Sequence, residues 1–224
     1  MTKVCFLLTV YNKEVWIAQT IQSILDQTLK DIEIVVWDDG STDNSMAIVK
    51  YYSDKDDRII VGGSKENQGI SKAYNAAREL VTAPYVCISS GDDLYDPKRA
   101  QLTKDYFTKH PEKKILYGAF WRIYANGKII EYKPALPYDK EKLFEENNQY
   151  IPHGFMSVHK SVLDKVPYDE TLKYGIDYPW IKELANTYEP YEWGRVKADM
   201  GFYRWFRTNV SHEHRDEIVR QGNS

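Results

Sequence analysis

Apolar positions in the first half of the chain follow two alternating rhythms. Residues 4–10, 32–37 and 85–89 are continuous apolar runs with β-branched side chains and no helical period, which predicts strands buried in a parallel sheet. A shorter run at 58–61 predicts one more strand. Between the strands the period changes to helical. Ile17, Ile21, Ile24 and Leu25 form one stripe, Met46, Val49 and Tyr52 a second, and Ile70, Ala73, Ala77 and Leu80 a third, opened by Gly69. Ser41, Thr42 or Asp43 is expected to cap the second helix. Strand and helix in alternation give an α/β fold, a mostly parallel central sheet flanked by helices with right-handed crossovers.

The rhythm changes after Pro97. Leu102 and Tyr106 predict a helix, 115–124 a long strand, and Asn126-Gly127 a hairpin turn into a strand at 128–132. Residues 134–152 carry little periodicity and predict a loop over the site, with a short helix near 140–146. A strand at 155–159, a helix at 177–187 and one or two strands within 194–205 complete a smaller, mixed or antiparallel region. Residues 208–224 form a polar tail. The expectation is a single domain of 224 residues whose first part, 1–97, binds nucleotide and whose second, 98–207, binds acceptor.

Acidic clusters stand directly behind two of the predicted strands, Asp38-Asp39-Gly40-Ser41 and Gly91-Asp92-Asp93. Carboxylates there lie on the carboxyl edge of the sheet, where open α/β sheets bind ligands. Two acidic clusters at neighbouring strand ends repel each other, but they suit a site for a divalent metal and the hydroxyls of a nucleotide. The turn after the first strand, Thr9 to Glu14, has no glycine, which excludes a dinucleotide-binding Gly-x-Gly-x-x-Gly turn and a Walker loop. A diphosphate must therefore be neutralised by a metal on Asp92 together with basic side chains.

Charge and composition narrow the picture further. A net charge of -3 with a pI near 6.0 leaves no broad basic field for nucleic acid. The 18 Tyr and 6 Trp suit surfaces that stack on sugars or bases, although most belong to the core and its edges. Cys5 and Cys87 fall inside predicted buried strands and read as free thiols. The run at 4–10 leads into Tyr11-Asn12-Lys13-Glu14 without a cleavage site, and no apolar stretch approaches the ~20 residues that span a bilayer. The expected compartment is the cytoplasm, with peripheral association at the inner membrane face open.

The ordered set Thr9-Val10-Tyr11-Asn12-Lys13-Glu14, Asp38-Asp39-Gly40-Ser41-Thr42-Asp43, Asn67-x-Gly69-x-x-x-Ala73-x-Asn75, Gly91-Asp92-Asp93-x-x-x-Pro97 and Gly175-x-Asp177-x-x-Trp180 resembles family 2 glycosyltransferases of the GT-A fold. The resemblance implies transfer of a sugar from a nucleotide diphosphate donor to an acceptor hydroxyl of a glycan or lipid-linked glycan, with inversion at the anomeric carbon. It implies that Thr9, Tyr11 and Asp39 hold base and ribose, Asp92 a divalent metal (Mn2+ or Mg2+), and that Asp177 is the catalytic base, a role that suits a carboxylate shielded from bulk water. Its place before Tyr178-Pro179-Trp180 also makes Asp177 the expected N-cap of that helix. Val10, Glu14 and Gly91 join the nucleotide-binding candidates by position, and Asp93 is a second metal candidate. Two positions depart from the family pattern: Ser90 where an acidic residue commonly leads the metal motif, and Ile176 where one commonly precedes the base.

Other side chains are weaker candidates. Lys65, Lys72 and Arg207 could meet the diphosphate, and His212 and His214 the diphosphate or metal. His153, Gly154 and Trp180 could meet donor or acceptor sugar. Two carboxylates alone would also suit a glycosidase, but that chemistry needs no nucleotide site. A nucleotidyltransferase forming nucleotide-sugars would carry a glycine-rich N-terminal loop. A degenerate GT-A protein that binds nucleotide or glycan without turnover is the other alternative.

Overall fold

The computed structural model describes residues 3–145 and 150–206. Nine strands form one sheet in the order β3-β2-β1-β4-β8-β6-β9-β5, with β7 beside β6. Its parallel half comprises β1 (Val4–Val10), β2 (Ile32–Asp39), β3 (Ile59–Ser64) and β4 (Tyr85–Ser90). These strands alternate with α1 (Ile17–Leu25), α2 (Ser45–Ser53) and α3 (Ile70–Arg78) as the pattern predicts. β2 and β4 both flank β1, with Val10 paired to Asp38 and Thr9 to Ser90. The acidic clusters are therefore not at adjacent strand ends, as the sequence suggested. The end of β1 separates them and relieves their repulsion.

β1 is buried along its whole length because it packs on both faces. Cys5 and Leu7 join a core layer with Tyr74, Ala77 and Leu184. Val4, Phe6, Leu8 and Val10 join the opposite layer with Ile17, Ile21, Ile24 and Val49. Burying a side chain such as Leu7 or Ile21 stabilises the fold by about 1.5–3 kcal/mol.

The second half continues the sheet. It contains β5 (Leu94–Tyr95), α4 (Arg99–Lys109), β6 (Ile115–Tyr124), β7 (Ile129–Lys133), α5 (Lys140–Phe144), β8 (Met156–His159), α6 (Lys160–Lys165), α7 (Asp177–Thr187) and β9 (Trp193–Trp205). β8 is antiparallel to β4 and β6, whereas β6 and β9 are parallel. The last strand is single, with register shifts where it passes Gly118. β5 and α6 were not anticipated. Arg99, fully buried, holds this half to the first by donating to the carbonyls of Ile88 (2.8 Å), Met156 (2.9 Å) and Gly154 (3.2 Å).

Two helix starts differ from expectation. Asn44, not Ser41, Thr42 or Asp43, occupies the N-cap of α2, and Asp43 Oδ1 instead accepts from the Ser45 amide at 2.9 Å. Asp177 is the first residue of α7 rather than its cap, and Ile176 takes the cap position without a side-chain bond. Gly40 sits at φ +71° with its α-carbon against the 66–67 backbone, where an added Cβ would lie 2.5 Å from the Glu66 carbonyl carbon. That turn accepts no side chain.

His159 gives the fold an acid-side weakness. It ends β8 edge-on to Tyr85 and Phe107, and its Nε2 is buried without a partner among the described residues. Burial, helped by nearby Lys114, lowers its pKa from 6.5 to about 4. A histidine that titrates lower when folded holds fewer protons than the unfolded chain, so stability is intact above 6.5 and falls as the pH drops towards 4. Urea titrations at pH 7 and pH 5 should therefore show a smaller stability difference for His159→Phe than for the wild type. An unchanged difference would place the acid sensitivity elsewhere.

Candidate active site

The carboxyl ends of β2, β1 and β4 converge at one edge, and polar side chains lace their loops together. The Asn12 amide donates to Ser41 Oγ (3.0 Å) and the Thr42 amide to Asn12 Oδ1 (2.8 Å), with Asn12 itself at φ 51°. Glu14 Oε2 accepts from the amide (2.9 Å) and side chain (2.7 Å) of Asn44. Glu14 thus ties the loop after β1 to the loop after β2 through one of its two oxygens. Val10 is buried in the core and can offer a ligand only backbone. Thr9 is buried beside it, while Tyr11 is 42% exposed and presents an open ring.

The two carboxylates of Asp38-Asp39 divide their work. Strand alternation sends them to opposite faces. Asp39 accepts from Ser64 Oγ, the Gln68 amide and the Gly69 amide, each at 2.9 Å, so both oxygens hold the 64–69 loop at the mouth of α3. Asp38 Oδ2 accepts from the Ser41 amide at 3.1 Å, while Oδ1 is buried with no partner among the described residues. Asp38, not singled out from sequence, is therefore the carboxylate with an open lone pair.

The turn after β4 is similarly divided. Asp93 is buried, accepting from Ser90 Oγ (2.6 Å) and the Arg204 amide (2.8 Å). Burial, then the neighbouring Asp92 charge, raises its pKa to about 7. Each Asp93 oxygen accepts one of these bonds, so the residue is a joint between β4 and β9. Ser90, which stands where the family pattern has a carboxylate, is part of that joint. Asp92 Oδ2 lies 2.6 Å from Lys13 Nζ, and its side chain is 12% exposed. Gly91 packs against Val10 and Lys13, where a Cβ would come within 3.3–3.4 Å of both side chains.

A short 3₁₀ turn at His153–Phe155 links this edge to α7. A Cβ on Gly154 would lie 3.5 Å from Asp93 Oδ2, so the turn rests directly on the acidic turn. His153, next in the chain, is buried with Nε2 2.7 Å from the Tyr168 hydroxyl and Nδ1 3.4 Å from Asp177 Oδ1. Burial lowers its pKa, against the opposing pull of Asp177, which favours the neutral ring. Neutral imidazole can donate from Nδ1 towards Asp177 while accepting from Tyr168 at Nε2.

Asp177 was expected to be shielded from bulk water. Its side chain is instead 56% exposed, open to an incoming hydroxyl. Trp180 is a correction of the opposite kind. It is buried, stacked on Tyr168 with 4.6 Å between centroids, and its Nε1–H donates to the Val166 carbonyl at 2.8 Å. It supports the Tyr168–His153 pair. Lys65 and Lys72 are exposed just beyond β3 and in the first turn of α3. Arg207, His212 and His214 lie outside the described residues.

Among the described residues no three His, Cys, Asp or Glu side chains gather into a metal cluster. The donor set is a single accessible carboxylate, Asp92. That fits Mg2+ or Mn2+ only in the mode where one protein carboxylate is joined by water and substrate phosphates.

The parallel sheet, its mixed continuation and the acidic carboxyl edge define a protein of the GT-A class. The family model described as Glycosyl transferase family 2 matches residues 5–167, and the chain belongs to that family. It is 32% identical over 191 residues to an uncharacterized glycosyltransferase of Methanocaldococcus jannaschii, covering 83% of this chain and 66% of that protein. It is 29% identical over 179 residues to chondroitin synthase of Escherichia coli, covering 79% of this chain and 26% of that enzyme. The chain thus spans less than two thirds of the length of these relatives. In fold it is similar to Staphylococcus aureus TarS 1-349 in complex with UDP-GlcNAc, with a TM-score of 0.75, 16% identity and coverage of 100% of this chain and 72% of that one. It is also similar to a Pyrobaculum calidifontis mannosyltransferase in complex with GDP-Man and Mn2+, with a TM-score of 0.68, 14% identity and coverage of 98% and 61%. No helix among the described residues is long and apolar enough to cross a membrane.

Proposed function

We propose that the chain transfers a sugar from a nucleoside diphosphate donor, with uridine as the base, to an acceptor hydroxyl of a glycan, inverting the anomeric carbon. The observation that carries this reading is the short physical path from Asp92 to Asp177. The acidic turn carrying Asp92 and Asp93 touches Gly154, and the adjacent His153 reaches Asp177. A group that stabilises a leaving diphosphate and a group that deprotonates a nucleophile are thereby joined across one shared edge. The fold is shared with TarS 1-349, which has been solved in complex with UDP-GlcNAc and with UDP, and this supports the choice of donor class.

In this reading Tyr11 offers its exposed ring to the base, and Asp39 shapes the donor pocket through the 64–69 loop. Asp92 would hold a divalent metal, which when bound supplies Lewis-acid stabilisation of the departing diphosphate. Asp177 takes the proton of the acceptor hydroxyl as its oxygen attacks the anomeric carbon and the bond to the diphosphate oxygen breaks. Neutral His153 holds the Asp177 carboxylate in place, anchored by Tyr168. The part built from residues 98–207 would receive the acceptor.

Calorimetric titration with UDP tests the donor site without knowledge of the acceptor. Binding is expected, and at least about tenfold tighter with saturating Mn2+, equivalent to about 1.4 kcal/mol. Absence of binding by every nucleoside diphosphate at saturating metal would overturn the reading.

A further inference from the structure

Asp92 already has a cation. Lys13 Nζ lies 2.6 Å from Asp92 Oδ2, and the lysine backbone is pinned by its amide donating to Ser45 Oγ at 2.7 Å. The ammonium also faces the Phe206 ring at 5.7 Å from its centroid, and that ring stacks on Trp16 at 5.6 Å. Gly91 leaves room for the lysine stem, since a Cβ there would come 3.4 Å from Lys13 Cγ. Neither side chain is more than 19% exposed, so water screens the pair less than a surface pair. The neighbouring carboxylate is tied into the scaffold, since each Asp93 oxygen already accepts a bond, one from Ser90 and one from Arg204.

We infer that Lys13 is a resident counter-cation that holds Asp92 against divalent metal until a nucleoside diphosphate takes over the ammonium. The inference rests on the reading that Asp92 faces the diphosphate. A divalent ion approaching Asp92 in the free protein meets the Lys13 charge at contact distance and must compete for the same carboxylate. Mg2+ and Mn2+ have only this one carboxylate to gain. A diphosphate brings several negative oxygens, which attract the ammonium away from Asp92 and supply the missing metal ligands. Metal and nucleotide then bind cooperatively, and the free protein is protected from idle metal loading. The coupling is reciprocal, so metal improves nucleotide binding by the same factor.

The test uses Mn2+ alone, followed by the electron paramagnetic resonance signal of the free ion, with the nucleotide-free protein. Lys13→Met should bind Mn2+ at least about tenfold tighter than the wild type, because removing the ammonium frees Asp92. Lys13→Arg retains the charge and should stay as weak as the wild type. Thermal unfolding of each variant verifies that the fold is kept. Equal or weaker Mn2+ binding by a folded Lys13→Met, or equally tight binding by Lys13→Arg, would overturn the inference. Asp92→Asn separates this from failure of the site reading. If the double variant Lys13→Met/Asp92→Asn binds Mn2+ as tightly as Lys13→Met, the metal is not on Asp92 and the site reading itself is wrong.

Discussion

Asp177→Asn should lower kcat by ~10²-fold or more while leaving the affinity for UDP nearly unchanged. The amide cannot accept the hydroxyl proton, yet it has the size and shape of the carboxylate. The structure makes the experiment cleaner than the sequence suggested, because Asp177 is the first residue of α7 and its side chain caps nothing. Its carboxylate does favour the positive end of the helix, an effect of about 0.3–1 kcal/mol at such a site. Stability should therefore change little, and a fall in rate cannot be ascribed to unfolding. Near wild-type turnover would remove Asp177 from the chemistry. The search for a base would then turn to Glu170, Asp169 or His153; one oxygen of each carboxylate is engaged, Asp169 Oδ1 by Thr171 at 2.9 Å and Glu170 Oε1 by Asn75 at 3.0 Å.

Asp39→Asn should do the reverse, destabilising the fold as well as weakening donor binding. The Asn carbonyl can replace Oδ1 towards Ser64 and Gln68, but its NH2 then faces the Gly69 amide, donor against donor. The Gly69 amide keeps only its second acceptor, Asn67 Oδ1 at 3.0 Å, and charge-assisted bonds become neutral ones, a cost of about 1–3 kcal/mol. Chemical denaturation should show the lower midpoint, and UDP titration at a temperature where the variant is folded should show weaker binding. Wild-type stability would mean that the 64–69 loop does not depend on Asp39. Asp38→Asn offers a contrast, because Oδ1 has no partner among the described residues to lose.

The parallel half of the fold was legible because its strands and helices are long and strongly periodic, and because each is buried on the face that its pattern names. β5 escaped because two residues, Leu94 and Tyr95, carry no period. They become a strand only by pairing with Gly201 and Phe202 a hundred residues onward. α6 escaped because it follows β8 at Lys160 without a break in the sequence. The carboxylates at the strand ends were legible as a cluster but not as individuals. Nothing local distinguishes Asp38 from Asp39, or Asp92 from Asp93. Which one is consumed by the scaffold depends on donors supplied from Ser64, Gly69, Ser90 and Arg204. Trp180 read as a ligand-facing aromatic because spacing does not reveal that Val166 and Tyr168 enclose it. Lys13 sat unremarked in a polar loop, and only the folded chain brings it across to Asp92.

The bond from the Arg204 amide to Asp93 joins residues 111 apart in sequence. During synthesis the four parallel strands can pair long before that amide leaves the ribosome, whereas the acidic turn acquires its final geometry only when β9 is laid down between β6 and β5. The nascent chain thus carries a formed sheet with an unfinished reaction edge. That edge reaches its described geometry in one late step, tied to arrival of the last described strand.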